Sequence, residues 1–558
     1  MFASSAGGPS SPEPSEIAAA MARPIWLVPP RVVEPMATTC AEAAAAPSVS
    51  IVAAAAAARP WRRWNISRVS LSSARPPAGP LRSRRSGPGA SRPRRSPAAI
   101  VRSRLISAAG GLSSPRNLSG QIIAARRHDK APRHGNRPRT PNQRRGPAMS
   151  QPSEPTVLVA GAGPAGLVAA LILGRAGVRV RVFEAQAELP TDLRASTFHP
   201  PTLDMLDRLG LAEPLVAMGL EAPAYQFRDR RTGEHATFEM ACLEGLTRFP
   251  FRLQCEQFKL TRKAAEALAE LPNVEIAYSH SVTGVRQDAA SVTLELAGPD
   301  GPLAATGDYL IGADGASSAV RDSLGIAFEG FTYPEQWVVA STPVDFAESL
   351  PNLAPVSYTS DPEEWFVLLR TLDLWRVLIP VAADVDREEV LSDAFLQTKL
   401  QEIAPREAPY PIAHRTLYRV HQRVAESYRV GRACLAGDAA HINNPLGGMG
   451  MNGGVQDAVN LAEKLVAILK DGADADRLLD HYAEQRKAIA EEYVKAHTHA
   501  NKQAIAETDP AKRAETMARM QEIARTPELL LAHVRKGAMI DAVAKSMVVF
   551  PEDAPAPS

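Results

Sequence analysis

The stretch Thr156-Val157-Leu158-Val159-Ala160-Gly161-Ala162-Gly163-Pro164-Ala165-Gly166 constrains the fold of this chain more than any other. A short apolar run meets three glycines in GxGxxG spacing, and an Ala- and Leu-rich run follows from Ala165 to Ala176. A second strand, Val178 to Phe183, ends at Glu184. An unbroken apolar run before glycines suits a strand buried on both faces. The run after them suits a helix packed against it. A strand–helix–strand unit completed within about 30 residues belongs to a parallel sheet.

The three glycines have separate physical tasks. The first allows a tight turn, the second lets the backbone approach a pyrophosphate, and the third lets helix and strand pack closely. The helix start supplies free N–H groups and the positive end of a dipole. Glu184 is placed to accept hydrogen bonds from a ribose diol. This fingerprint does not by itself separate FAD from NAD.

Two further motifs lie downstream. In Asp308-Tyr309-Leu310-Ile311-Gly312-Ala313-Asp314-Gly315-Ala316-Ser317-Ser318-Ala319-Val320-Arg321 an apolar strand ends at Asp-Gly and a helix begins. Alone, such a pair is an ordinary turn. The third motif runs from Gly437 to Gly454, 276 residues after Gly161, with six glycines in eighteen residues and Asp438 at its head. It follows the apolar run Ala433 to Ala436 and opens a helical pattern at Val455, Ala458, Leu461, Leu465 and Ile468. Asp438 suits sugar-like hydroxyls, and the backbone at Gly450-Met451-Asn452 suits a polar heteroaromatic edge. His441 reads as structural. Two nucleotide-type sites so far apart imply one long cofactor held at both ends.

Between the motifs the pattern changes period. Tyr225–Arg228 and Ala236–Glu239 alternate around Thr232-Gly233, a hairpin signature. Trp337 to Val344, and Trp365 to Pro380 bent at Asp373, read as antiparallel strands. From Arg477 onward the pattern is helical and charged. The sum is a nucleotide domain interrupted by an antiparallel sheet domain.

Charge divides the chain. Residues 1–148 hold 24 Lys and Arg against 5 Asp and Glu, whereas residues 149–558 hold 39 against 56. The first segment is rich in Ala, Arg, Pro and Ser, with Lys130 as its one lysine. Such a composition cannot bury enough apolar surface to offset its ordering entropy. A basic arm for nucleic acid or an anionic surface, an Arg- and Ser-rich transit peptide, and a translated upstream region are the three readings. Composition favours the third, with Met149 as the working start. No apolar run reaches the roughly 18 residues of a membrane span. Cys40, Cys242, Cys255 and Cys434 show no CxxC spacing and read as reduced thiols of a cytoplasmic protein, with no metal site.

Together the three motifs resemble those of the group A flavoprotein aromatic hydroxylases, the para-hydroxybenzoate hydroxylase-like family, over about Pro155 to Arg486. The resemblance implies an α/β, Rossmann-like FAD-binding domain of the GxGxxG type. It adds an inserted antiparallel β-sheet substrate domain and a C-terminal helical segment. On it, 155–221, 252–330 and 425–475 form the FAD-binding domain, 222–251 and 331–424 the substrate domain, and 476–558 the helical region. Composition leads to the expectation that residues 1–150 are a disordered basic extension outside the functional protein. The implied FAD contacts are Gly161, Gly163, Pro164, Ala165, Gly166, Glu184, Arg194, Gln254, Asp314 (with Ser317 and Arg321), Asp438, Pro445, Gly448, Gly450, Met451 and Asn452.

The implied reaction uses NAD(P)H and O2. Reduced flavin forms a C4a-hydroperoxide, and its distal oxygen goes to an electron-rich phenol- or arylamine-type ring. The family has no universal base. His199, Tyr225 and Arg252 are candidates by residue type. Phe227, Trp365, Phe366 and Trp375 are candidate pocket walls, and Arg370 and Arg376 candidate carboxylate ligands. The implied partners are a small aromatic substrate and O2, without nucleic acid or a membrane span, and a homodimer stays open. The alternatives are a related halogenase or reductase, or a non-catalytic flavin-binding protein. The halogenase WxWxIP motif is incomplete here, since only Trp375-Arg376-Val377-Leu378-Ile379-Pro380 is present.

Overall fold

The apolar runs of the first and second motifs form the central strands of a six-stranded sheet. In the computed structural model, which describes residues 154–191, 193 and 195–546, Thr156–Ala160 pairs in parallel with Tyr309–Gly312 on one side and Arg179–Phe183 on the other. Val274–Ala277 and Ala433–Leu435 extend this parallel sheet, and Arg429–Val430 closes one edge antiparallel. Val157, Leu158, Val159 and Ala160 have no exposed surface, as a sheet covered on both faces requires. The helices Pro164–Arg175 and Gly450–Asp471 pack against each other.

A second sheet has eight strands. Its order is His441–Ile442, His414–Ala425, Phe328–Thr342, Trp375–Ala382, Phe366–Arg370, Val356–Ser360, Ala224–Asp229 and His235–Glu239. The expected hairpin is there, with Gly233 in the left-handed region at φ 74°. The expectation of an antiparallel sheet needs one correction. Ser357–Ser360 runs parallel to Gln226–Asp229. These strands come from distant parts of the chain, so no tight turn fixes their relative direction.

The eight-stranded sheet buries two different faces. Tyr225, Phe227, Trp337, Val339, Trp365 and Leu378 share one apolar cluster, which the C-terminal helices cover through Ile505, Met517, Val534 and Ala538. Phe366, Leu368, Trp375 and Val377 lie in another, with Leu400 and Tyr410. A small third sheet joins Thr197–Phe198, Arg252–Gln254 and Leu220–Ala222. The helices Pro510–Arg525 and Pro527–Gly537 follow a π-helical turn at Ile489–Lys495. Among the described residues no helix is long and apolar enough to cross a membrane. The readings of residues 1–150 concern positions outside the described residues.

Candidate active site

Backbone crowding brings the three motifs together. Gly161 has φ 95°, and a Cβ there would lie 2.4 Å from the carbonyl oxygen of Ala313, beside Asp314. At Gly166 a Cβ would lie 2.1 Å from the carbonyl oxygen of Gly161. Gly437, at φ 63°, faces Ala165 and Gly454, and a Cβ on Gly454 would come 3.0 Å from the Gly437 Cα. Gly163 differs from all of these, since a Cβ there would meet no protein atom within 4 Å. Crowded glycines bind the motifs to one another, and the uncrowded one faces open space.

The two helices that start here lack competing anions. Pro164–Arg175 begins at Gly163, and Gly450–Asp471 begins at Met449. Neither has a side-chain cap or an acidic residue in its first turn, so neither helix supplies an anion of its own to its N-terminal N–H groups and dipole end. Glu184 is buried, and it accepts hydrogen bonds from the backbone of Ala162 at 2.8 Å and of Gln186 at 2.9 Å.

Asp314 is turned into its own loop. It accepts from Ser318 Oγ at 2.6 Å and from the Val320 N–H at 3.1 Å. Ser318 caps the Arg321 N–H, so the serine that matters structurally is the neighbour of the expected Ser317. Arg321 is buried over the Phe328 ring and donates to the carbonyls of Ala316 and Ala439, tying the second motif to the third. Asp438 is exposed at the same turn.

His441 is structural. Its Nε2 lies 2.9 Å from Asp457, which also takes the Gly437 N–H and Arg486 Nε. Burial opposes ionisation of Asp457, but Arg486 and His441 beside it hold its carboxyl down at about 2. This fully buried group fixes the Gly437 turn to the glycine-rich helix.

The loop before that helix is clipped to the small sheet. Asn452 is fully buried, accepts the His199 N–H at 2.9 Å, and donates to the carbonyls of Thr197 and Gly448. Gly447 and Gly448 have φ 107° and 68°. A Cβ on Gly448 would come 2.9 Å from Thr197 Cβ. Thr197 Oγ1 donates to Gln254 Oε1 at 3.1 Å, which leaves Gln254 Nε2 a buried donor with no protein partner. His199 Nε2 donates to the Gly447 carbonyl at 2.7 Å, so its Nδ1 is an unprotonated acceptor, buried and without a partner.

The sheet face and the C-terminal helices complete the site. The Arg252 guanidinium lies 3.9 Å from the Tyr225 ring centroid and donates to Tyr358 Oη at 3.3 Å. The Phe238 and His533 rings meet nearby in a tilted arrangement, 4.5 Å between centroids. Trp337 meets Trp365 edge-on at 5.0 Å, and its buried Nε1 has no acceptor.

A family profile described as an FAD binding domain matches residues 154–497. The chain is 38% identical over 367 residues to para-nitrophenol 4-monooxygenase of Pseudomonas sp. strain WBC-3, spanning 64% of this chain and 89% of that one. The chain belongs to the FAD-dependent aromatic hydroxylases. It is 36% identical to 6-hydroxy-3-succinoylpyridine 3-monooxygenase of Pseudomonas putida, over 60% of this chain and 85% of that one. The crystal structure of p-nitrophenol 4-monooxygenase from Pseudomonas putida DLL-E4 superposes with a TM-score of 0.65 at 34% identity, covering 69% of this chain and 99% of that one. Like these relatives, the hydroxylase is an FAD-dependent monooxygenase.

Several sequence expectations about this hydroxylase change in detail. Tyr225 and Arg252 are in contact, and His199 feels the Arg252 charge. Of the four aromatic wall candidates, Phe227 and Trp365 share the face toward the C-terminal helices. Phe366 and Trp375 are in the opposite cluster, because neighbouring strand residues point to opposite faces. Arg376 is buried and donates to Ser196 Oγ at 2.8 Å and to the Leu193 carbonyl. It therefore positions the segment around Arg194, which itself lies outside the described residues. Arg370 pairs with Asp345 at 2.6 Å. Sequence reasoning missed His497 and His533, whose only signal was a helical pattern with a histidine on it. Among the described residues, no group of three or more His, Cys, Asp or Glu could hold a metal.

Proposed function

We propose that this hydroxylase uses NAD(P)H and O2 to oxygenate a phenol at the ring carbon across from its hydroxyl, where a substituent sits. Two relatives support the position. Para-nitrophenol 4-monooxygenase and 6-hydroxy-3-succinoylpyridine 3-monooxygenase both name a substituted carbon para to a ring hydroxyl. The single observation that supports the FAD-dependent part of this reading is the close packing of the three glycine motifs at Gly161, Gly166 and Gly454, with Gly163 left open on the side that would suit a phosphate.

FAD fits this site. Gly163 and the starts of the two uncapped helices suit the pyrophosphate, Glu184 the adenosine ribose, and Asp438 the ribityl chain. Pro445, Gly448, Gly450, Met451 and Asn452 would edge the flavin ring, and the unpartnered Gln254 Nε2 would be a donor for it. Pro164 and Ala165 shape the first turn, while Asp314 acts through its loop. FAD supplies the electron transfer from NAD(P)H and the activation of O2. The protein positions the ring, excludes water and orients the phenol. In this reading residues 222–251 and 331–424 form the substrate domain, and helices after 476 roof it.

The test is NAD(P)H oxidation by the full-length protein with a panel of phenols, with mass analysis of products. Para-nitrophenol should stimulate oxidation and release nitrite as oxygen enters at the nitro-bearing carbon. Oxidation that no phenol stimulates would refute the reading.

A further inference from the structure

Arg252 is 3% exposed, yet no carboxylate pairs with it among the described residues. Its hydrogen bond goes to a neutral hydroxyl, its planar face lies on the Tyr225 ring, and its Nε is buried with no partner. A buried guanidinium without an anion is costly to maintain. Natural sites keep such a charge where a ligand completes the pair.

The groups around it do not supply an anion or a competing cation. Burial, with the Arg252 charge next, lowers His199 to about 3. Burial and then Lys536, His533 and Arg252 lower His497 to about 3. Burial, Arg252, Lys536 and Arg519 lower His533 to about 4. All three histidines are neutral near pH 7. Burial raises Tyr225, which keeps its proton, and raises the Cys242 thiol. Lys536 is exposed. One fixed positive charge therefore stands among aromatic rings.

The C-terminal helix comes close to this pair because it carries a glycine there. A Cβ on Gly537 would sit 3.2 Å from Tyr225 Oη and 3.7 Å from an Arg252 terminal nitrogen. On the opposite side, His199 binds the carbonyl of Gly447 in the glycine loop. Arg252 is thus covered by the helix Pro527–Gly537 and lies within electrostatic reach of the loop assigned to the flavin.

We propose that Arg252 is the counter-ion of the substrate's ring oxygen, so that the phenol binds as its phenolate beneath the helix Pro527–Gly537. The proposal rests on the phenol reading above. The proton leaves to solvent before binding, and no side chain has to take it. An ionised ring oxygen raises electron density at the para carbon, the position where oxygen is to be added. Arg252 is a binding residue in this assignment, and Tyr225 and Tyr358 hold its guanidinium flat.

The experiment is a binding titration of the oxidised holoenzyme with para-nitrophenol, without NAD(P)H, at a pH below the free phenol's own pKa. Difference spectra distinguish phenol from phenolate. The wild-type protein should show phenolate. Arg252→Gln should bind the neutral phenol and weaken binding about thirty-fold or more, the scale for loss of one partner of a buried charge pair. Arg252→Lys should restore part of the phenolate signal. Flavin absorbance and Tm report whether each variant folds. If Arg252→Gln does not fold, Tyr358→Phe serves, and phenolate binding should weaken a few-fold with the flavin retained. Neutral bound phenol in the wild type, or phenolate bound equally well by Arg252→Gln, overturns the assignment. Turnover of phenols alongside neutral bound phenol sinks only the Arg252 role. If no phenol binds or is oxygenated, the substrate reading fails first and this proposal with it.

Discussion

The nucleotide side and the sheet side of this site are built in opposite ways. On the nucleotide side, backbone meets backbone: Gly161 against Ala313, Gly166 against Gly161, Gly454 against Gly437. On the sheet side, large side chains meet across elements far apart in sequence, such as Arg252 with Tyr225 and Tyr358, and His533 with Phe238. The first construction fixes residue type at each position, because only glycine fits. The second fixes position through packing and tolerates many sequences. A family can therefore keep its cofactor and change its substrate.

Six substitutions probe this contrast, from the largest expected effect. Asp457→Ala strands Arg486 as a buried unpaired charge and frees the Gly437 turn. It should cost about 3–5 kcal/mol by denaturant titration and release FAD. The wild-type carboxyl is depressed in the folded state, so its contribution is present above its unfolded pKa. That contribution fades as pH falls from about 4 toward 2. A shallower acid-unfolding profile for the variant checks the sign.

Trp365 and Phe366 separate the two sheet faces. Each →Ala change empties a buried aromatic site and should cost about 3–5 kcal/mol. Trp365→Ala should also raise KM for the phenol, whereas Phe366→Ala should leave KM alone in the folded fraction. Equal KM changes would erase the distinction between the faces.

Gly166→Ala and Gly163→Ala test the nucleotide side. The first drives a methyl into the Gly161 carbonyl and should lower apoprotein stability by about 1–3 kcal/mol. The second meets no protein atom, so the apoprotein's Tm should hold while FAD affinity drops. A stability loss at Gly163 like that at Gly166 would show that its open side is not reserved for a ligand. The smallest effect belongs to Gln254→Leu. Its Nε2 has no protein partner, so FAD should bind about 1 kcal/mol more weakly, read by fluorescence titration of the apoprotein.

Legibility in the sequence follows the same division. The parallel sheet, the first helix and the three glycine motifs were readable because short-range pattern specifies them. Even so, Asp314 caps its own turn, and Ser318 rather than Ser317 holds it. Asn452 acts as a side-chain clip between loop and sheet, a role that no local pattern announces. The face of Trp365 against that of Phe366 depends on strand register, and a one-residue slip would exchange them.

The sequence by itself determined a dinucleotide-type α/β sheet, the resemblance to the flavoprotein hydroxylases and the glycines at which the three motifs meet, because glycine at a crowded or left-handed position has no substitute. The tertiary structure decided which aromatic residues share a face, which arginines are committed to structure, and that a helix near residue 530 roofs a buried arginine at 252. Those outcomes depend on contacts between residues hundreds of positions apart. Burial and missing partners, not residue type, give such side chains their chemistry.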